Sequence, residues 1–208
     1  MQEYLSVQSV SESTIVVKKS RFIGMLYPVS NEIELNSCLD KARVSYPRAT
    51  HYCYAGIFRD PVIIERFSDD NEPSGTAGKP ILSVLRGAKL INAAAVVIRY
   101  FGGTLLGAGG LVKAYTEAVQ QTLSRTEIVK MVPSEKLLIS MEYSAYNQFV
   151  SKLQAFIIGT ADTEFTDKVS IQLYVAAETA EDFKYKLKEL CHAQYEETER
   201  KYLPVKAL

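Results

Sequence analysis

The chain has 208 residues, 47% of them hydrophobic, and carries 24 Lys+Arg against 24 Asp+Glu, so its net charge at pH 7 is zero. That length and apolar content bury a sizeable core and allow one domain or two small ones, while neutrality excludes a protein that is polybasic along its whole length. No run approaches the roughly 18 apolar residues of a membrane-spanning helix, and MQEYLSVQSV lacks the basic-then-apolar order of a secretory leader, so a cytoplasmic protein without a membrane partner is expected. TIVVKKSRFIGMLYPV is β-branched and aromatic except at Lys18 to Arg21, which predicts two strands joined at that basic stretch. Asn31, with Glu34 three residues on, reads as a capping box. Ile33, Cys38, Leu39 and Ala42 then read as the apolar stripe of a helix ending before Pro47.

THYCYAGIFRDPVIIERFSDD alternates again, with Asp60 and Pro61 expected as the turn between two strands. A polar loop, SDDNEPSGTAGKP, follows at residues 68–80, and Pro80 is expected to open a short helix that stops at Gly87. INAAAVVIRYF, uncharged up to Arg99, has the pattern of a buried strand. After GGTLLGAGG, the residues Leu111, Ala114, Tyr115, Ala118, Val119 and Thr122 mark one face of a helix.

A domain boundary is expected near residue 132, where Pro133 interrupts the pattern and the charge balance reverses. Residues 1–131 carry 15 Lys+Arg against 12 Asp+Glu, whereas residues 132–208 carry 9 against 12. Beyond that point KLLISME, YSAYNQFVSKLQAF, IIGTADTEF, KVSIQLYVA, AEDFKYKLKEL and the segment 194–203 predict strand, helix, strand, strand, helix, strand. This is the βαββαβ order of a ferredoxin-like sandwich, which leaves one sheet face free for a protein partner.

Chemistry is concentrated in two glycine-bearing stretches. In RYFGGTLLGAGGLVKAY, glycines at Gly102, Gly103, Gly107, Gly109 and Gly110 leave backbone N–H groups unshielded beside a helix N-terminus, a place that stabilises anions. Arg99 and Lys113, the latter expected in the first helical turn, add full charges, and Tyr100 adds a stacking surface. The spacing matches neither a dinucleotide fingerprint nor a P-loop; the alternative is that the glycines only permit a tight strand-to-helix turn. In the polar loop, Gly75, Thr76, Gly78 and Lys79 read either as an anion nest or as a cap that satisfies its own backbone. Asp69, Asp70 and Glu72 lack the alternate spacing of a calcium loop.

Ser74 and Thr76 offer hydroxyls without a GxSxG elbow, so no catalytic residue is assigned. His51 and Glu72 remain as acid–base candidates, against the commoner structural role of a histidine among tyrosines. Cys38, Cys53 and Cys191 form no CxxC and read as reduced thiols, and neither a metal nor a cofactor is expected.

ATHYCYA, SDDNEPSGTAGKPIL and VVIRYFGGTLLGAGGLVKAY resemble, in order, the hallmark stretches of the IMPACT family, its bacterial YigZ-like branch in particular. The resemblance implies an α+β protein of two domains. Residues 1–131 would form an IMPACT-type N-terminal domain, a four-stranded sheet backed by helices. It would be similar to the ribosomal-protein-S-five domain 2-like fold and to domain IV of elongation factor G. Residues 132–208 would form a ferredoxin-like domain similar to domain V of that factor. A non-catalytic role in translation regulation, with RNA or the ribosome as partner, is implied in the same way. The eukaryotic relative restrains a starvation-sensing kinase with the help of an extra N-terminal RWD domain; this chain begins close to the shared domain, so that role is not expected of it. The two glycine stretches, with Lys79, Arg99 and Lys113, are accordingly expected to form a phosphate-binding cleft. An enzyme acting on a small phosphorylated or acyl substrate, or a protein-interaction module, are the alternatives.

Overall fold

The computed structural model describes residues 2–59 and 62–206, so the turn expected at Asp60 and Pro61 lies outside the described residues. Tyr4–Val129 forms one compact unit, and the described part of Lys130–Leu208, with Gln2 and Glu3, forms the other. Both mix strands and helices.

In the first unit β1 (Tyr4–Val7) precedes β2 (Ser11–Val17), β3 (Ser20–Pro28), α1 (Glu32–Ser45), β4 (His51–Arg59), β5 (Ile63–Ser68), α2 (Gly78–Gly87), β6 (Ala93–Tyr100) and α3 (Gly107–Leu123). The five strands β2-β3-β6-β4-β5 form an antiparallel sheet, one strand more than the four the resemblance implied. β6 lies in the middle and is buried from Ala93 to Arg99, because α2 and α3 pack on one face and α1 on the other. A strand covered on both faces has no polar side, hence its unbroken AAAVVI run. The face of α3 is the stripe read from sequence: Leu111, Ala114, Tyr115, Ala118, Val119 and Thr122 are all buried.

α1 starts where the capping box places it, with Glu34 N donating to Asn31 Oδ1 at 2.9 Å and Ser30 N donating to Glu34 Oε2 at 2.7 Å. Its buried face is Leu35, Leu39 and Ala42; Ile33, expected in that stripe, is 81% exposed. Gly107, Gly109 and Gly110, expected in the loop before it, belong to the first turn of α3, which moves Lys113 into the second turn. Pro80 is likewise the third residue of α2 and does not open it.

The second unit contains most of β7 (Ile128–Met141), then α4 (Tyr143–Leu153), a 3-10 turn (Gln154–Phe156), β8 (Ile157–Phe165), β9 (Val169–Ala176), α5 (Ala180–Cys191) and β10 (Gln194–Lys206). The strand order β10-β7-β9-β8 is ferredoxin-like. Leu137, Ile139 and Met141 alternate on β7, facing Phe149 of α4 and Phe183 of α5, whose rings meet edge-on at 6.5 Å. Pro133 does not interrupt β7: it lacks only an N–H, and its carbonyl accepts from Ala177 N at 2.8 Å.

Candidate functional site

The register of β4 on β6 sets His51 opposite Arg99, and that of β3 on β6 sets Phe22 opposite Arg99. All three side chains lie toward α2 and α3, since Cys53, Val97 and Phe22 belong to that core. The polar loop between β5 and α2 folds over this end of the sheet. Asp70 and Asn71 take left-handed backbone (φ 41° and 67°), which aims Asp70 O at His51 Nδ1, 2.7 Å away. A carbonyl only accepts, so Nδ1 carries the hydrogen and Nε2 is the bare nitrogen of the neutral ring.

Asp69 organises the rest of the loop, its two oxygens accepting from Gly75 N at 2.8 Å, Ala77 N at 2.9 Å and Gly78 N at 2.8 Å. Burial raises the pKa of Asp69, but the three amides and Lys79 outweigh it and hold the carboxyl below its ordinary value. Gly78 is required here, because a Cβ would lie 2.9 Å from the Ser68 backbone. The nest expected to await a phosphate is therefore already filled by the chain's own carboxylate. Thr76 is also engaged, its hydroxyl donating to Pro73 O at 2.6 Å.

Glu72 is buried, with Oε1 accepting from Arg99 at 2.5 Å and from the Tyr115 hydroxyl at 2.7 Å. His51 Nε2 stands 3.7 Å from the same oxygen. The Arg99 guanidinium lies between the rings of Phe22, at 5.3 Å, and Phe101, at 5.5 Å, and its Nε is buried without a partner. Burial first, then the neighbouring Cys53 thiol and Glu72, push the Tyr115 phenol far up, so it stays a donor. Burial likewise pushes up Cys53, whose thiol lies 3.3 Å from the Tyr115 hydroxyl; this is a packed, unreactive thiol.

His51, Glu72 and Arg99 floor a cleft of about 380 Å³ whose walls include Thr50, Pro73, Phe101, Leu105, Leu106 and Leu111. Of the residues singled out from sequence, His51, Glu72, Arg99 and Gly107 line it. Gly102 supports it from behind: its N–H donates to Ser20 Oγ at 3.1 Å, and a Cβ there would come within 2.1 Å of the Lys19 carbonyl carbon. Gly103 and Gly107 have positive φ (82° and 72°), so they serve the turn into α3. Gly110 packs near Leu106, and Gly109 has open space around it. Tyr100 faces α1, where its hydroxyl donates to Pro47 O at 3.1 Å and Arg21 sits 4.5 Å above its ring. Lys79 and Lys113 are exposed. Lys113 follows Leu111 by two positions, roughly 200° around the helix, and so points away from the cleft wall. The expected cluster of Lys79, Lys113 and glycine amides does not form.

The apolar wall had no sequence signal, since Leu105 and Leu106 read as part of a loop. A second feature also emerges only in three dimensions. Lys18, Lys19, Arg21 and Arg48 are exposed at the sheet end where β3 begins and β6 ends, and none forms an ion pair among the described residues. Among the described residues no His/Cys/Asp/Glu group suits a metal ion, and no helix is long and apolar enough to cross a membrane.

Family models match the chain as an Impact N-terminal domain over residues 18–123 and as a domain of unknown function, DUF1949, over residues 139–194. The chain is 33% identical to IMPACT family member YvyE of Bacillus subtilis, covering 93% of this chain and 89% of that protein. It is 35% identical to an IMPACT family member of Haemophilus influenzae, covering 91% and 93%. A crystal structure of a hypothetical protein superposes with a TM-score of 0.64 at 32% identity, covering 96% of this chain and 98% of that one.

Proposed function

This chain belongs to the IMPACT family, and we propose that it is a non-catalytic, translation-regulating protein whose first unit binds single-stranded RNA at the cationic end of its sheet. The family resemblance supports the link to translation. The observation that carries RNA contact is the group Lys18, Lys19, Arg21 and Arg48, exposed and without ion pairs among the described residues. Lys18 and Lys19 form the two-residue turn of the β2–β3 hairpin at φ 45° and 69°. Glycine and asparagine suit that backbone; each lysine held there costs on the order of 1 kcal/mol, a strain that is tolerated where the charge is used. Side chains, in place of glycine amides, then contact the phosphates. Cys38, Cys53 and Cys191 are free thiols, which accords with a reducing, cytoplasmic setting.

The test is fluorescence anisotropy with a labelled 12-nucleotide RNA across a salt series. Three or four phosphate contacts give log K against log[salt] a slope of about −2 to −3 for a single strand, and K18E/K19E weakens binding roughly tenfold or more. Binding indifferent to both salt and charge reversal overturns the reading.

A second reading, an enzyme for a small phosphorylated or acyl substrate, is favoured by one observation: His51 Nε2 and Glu72 share a cleft at 3.7 Å. Turnover of a phosphate- or acyl-ester panel that disappears in His51→Phe would establish it. No turnover in the wild type removes it.

A further inference from the structure

The cleft floor is selective about what it can receive. His51 Nδ1 is engaged by Asp70 O, so the neutral ring presents Nε2 as an acceptor; at 3.7 Å from Glu72 Oε1 it forms no hydrogen bond there. Glu72 Oε1 is occupied by Arg99 and Tyr115, whereas Oε2 accepts nothing from the described residues. The charge of Arg99 is balanced by Glu72, so the floor holds no surplus cation for a phosphate. A fitting group is therefore neutral and brings N–H donors. Around it, Pro73, Leu105, Leu106 and Leu111 form apolar walls, and Phe101, 45% exposed, offers a ring. A flat body with a donor edge meets both demands, and the exposed cations at the same end of the sheet favour one attached to a polyanion.

We propose that this cleft takes one unstacked nucleobase with an exocyclic amino group, adenine, cytosine or guanine, whose N–H bonds are accepted by His51 Nε2 and Glu72 Oε2. The base lies against the apolar walls while its strand follows the cationic end, so the inference rests on the RNA reading above and adds base selectivity to it. His51 and Glu72 act as readers of the base, and the buried Arg99 and Tyr115 position Glu72. Uracil and hypoxanthine present a carbonyl where the amino group would be, and would set acceptor against acceptor.

Labelled 12-mers of A, C, U and inosine distinguish the two levels. Wild-type protein should bind A12 and C12 roughly fivefold more tightly than U12 and I12, the effect of about one buried hydrogen bond. His51→Phe, checked for folding by circular dichroism, should bring the four within twofold, while K18E/K19E should weaken all four and keep the preference. An oligomer of N6,N6-dimethyladenosine, which lacks the donors, tests the same point with unaltered protein and should bind like I12. Equal wild-type affinity for all four overturns the base pocket and leaves RNA binding standing. Adenosine monophosphate that binds as tightly as A12, with loss in His51→Phe, upholds the pocket and overturns the RNA reading. Failure of every oligomer and nucleotide to bind overturns both.

Discussion

Glu72 and Asp69 both lie in the polar loop, and both are held by groups that a sequence cannot assign to them. Removing the Glu72 carboxylate leaves the Arg99 guanidinium buried and unpaired, so Glu72→Ala should lower unfolding stability by about 3 kcal/mol or more, read from urea denaturation. Glu72→Gln keeps an acceptor for Tyr115 and should cost less. Asp69 has a pH signature. Its pKa in the folded chain is below the unfolded value, so its contribution is present above the unfolded pKa and is lost as pH falls through the folded one. Wild-type stability should therefore drop below about pH 4 by more than that of Asp69→Asn, measured by denaturant midpoints at neutral and acidic pH. Equal acid sensitivity of the two proteins would contradict this. The types of these residues were legible, but their partners were not: Arg99 and Glu72 lie 27 positions apart, and Tyr115 and Glu72 lie 43 apart.

Among elements, α3 approaches β3 closely at Gly24. A Cβ at Gly24 would lie 2.5 Å from Thr122 Oγ1 and 2.7 Å from Ala118 O, so Gly24→Ala must push the helix off the sheet. A loss of about 2–3 kcal/mol is expected, with a lowered melting temperature; an unchanged one would show that α3 shifts freely. In the second unit α5 is tied down by Lys184, buried beside Glu135, whose carboxylate lies 2.6 Å from Nζ. Burial opposes the charge on Lys184, but the bonds to Glu135 and Glu181 prevail and raise its pKa. Glu135→Ala should accordingly destabilise this unit by about 3 kcal/mol, measured by urea unfolding. Helices and strands were largely readable because burial repeats along them, as in the α3 stripe and the alternation of Val169, Ile171, Leu173 and Val175. Ile33 does not mark the buried face because an apolar residue in the first turn of a helix is consistent with either face until the sheet is in place. Glycines 107, 109 and 110 failed for a related reason: a helical first turn accepts glycine once neighbouring side chains bury the rest of the helix.

For the whole molecule, zero net charge conceals a first unit in which cations gather at one sheet end. A salt slope of about −2 to −3 is therefore expected of a chain that composition alone would class as neutral. What the amino-acid order determined by itself was the family, the α+β class, the ferredoxin-like order of the second half and the placement of most strands and helices, because each depends on contiguous motifs or on periodicities of two and 3.6. What tertiary structure alone decided was which polar groups meet. It placed Asp69 in the nest offered to a phosphate, paired Arg99 with Glu72, and built the cleft wall from loop leucines. Those pairings come from strand register and loop closure across dozens of residues, and geometry of that range leaves no local trace in the chain.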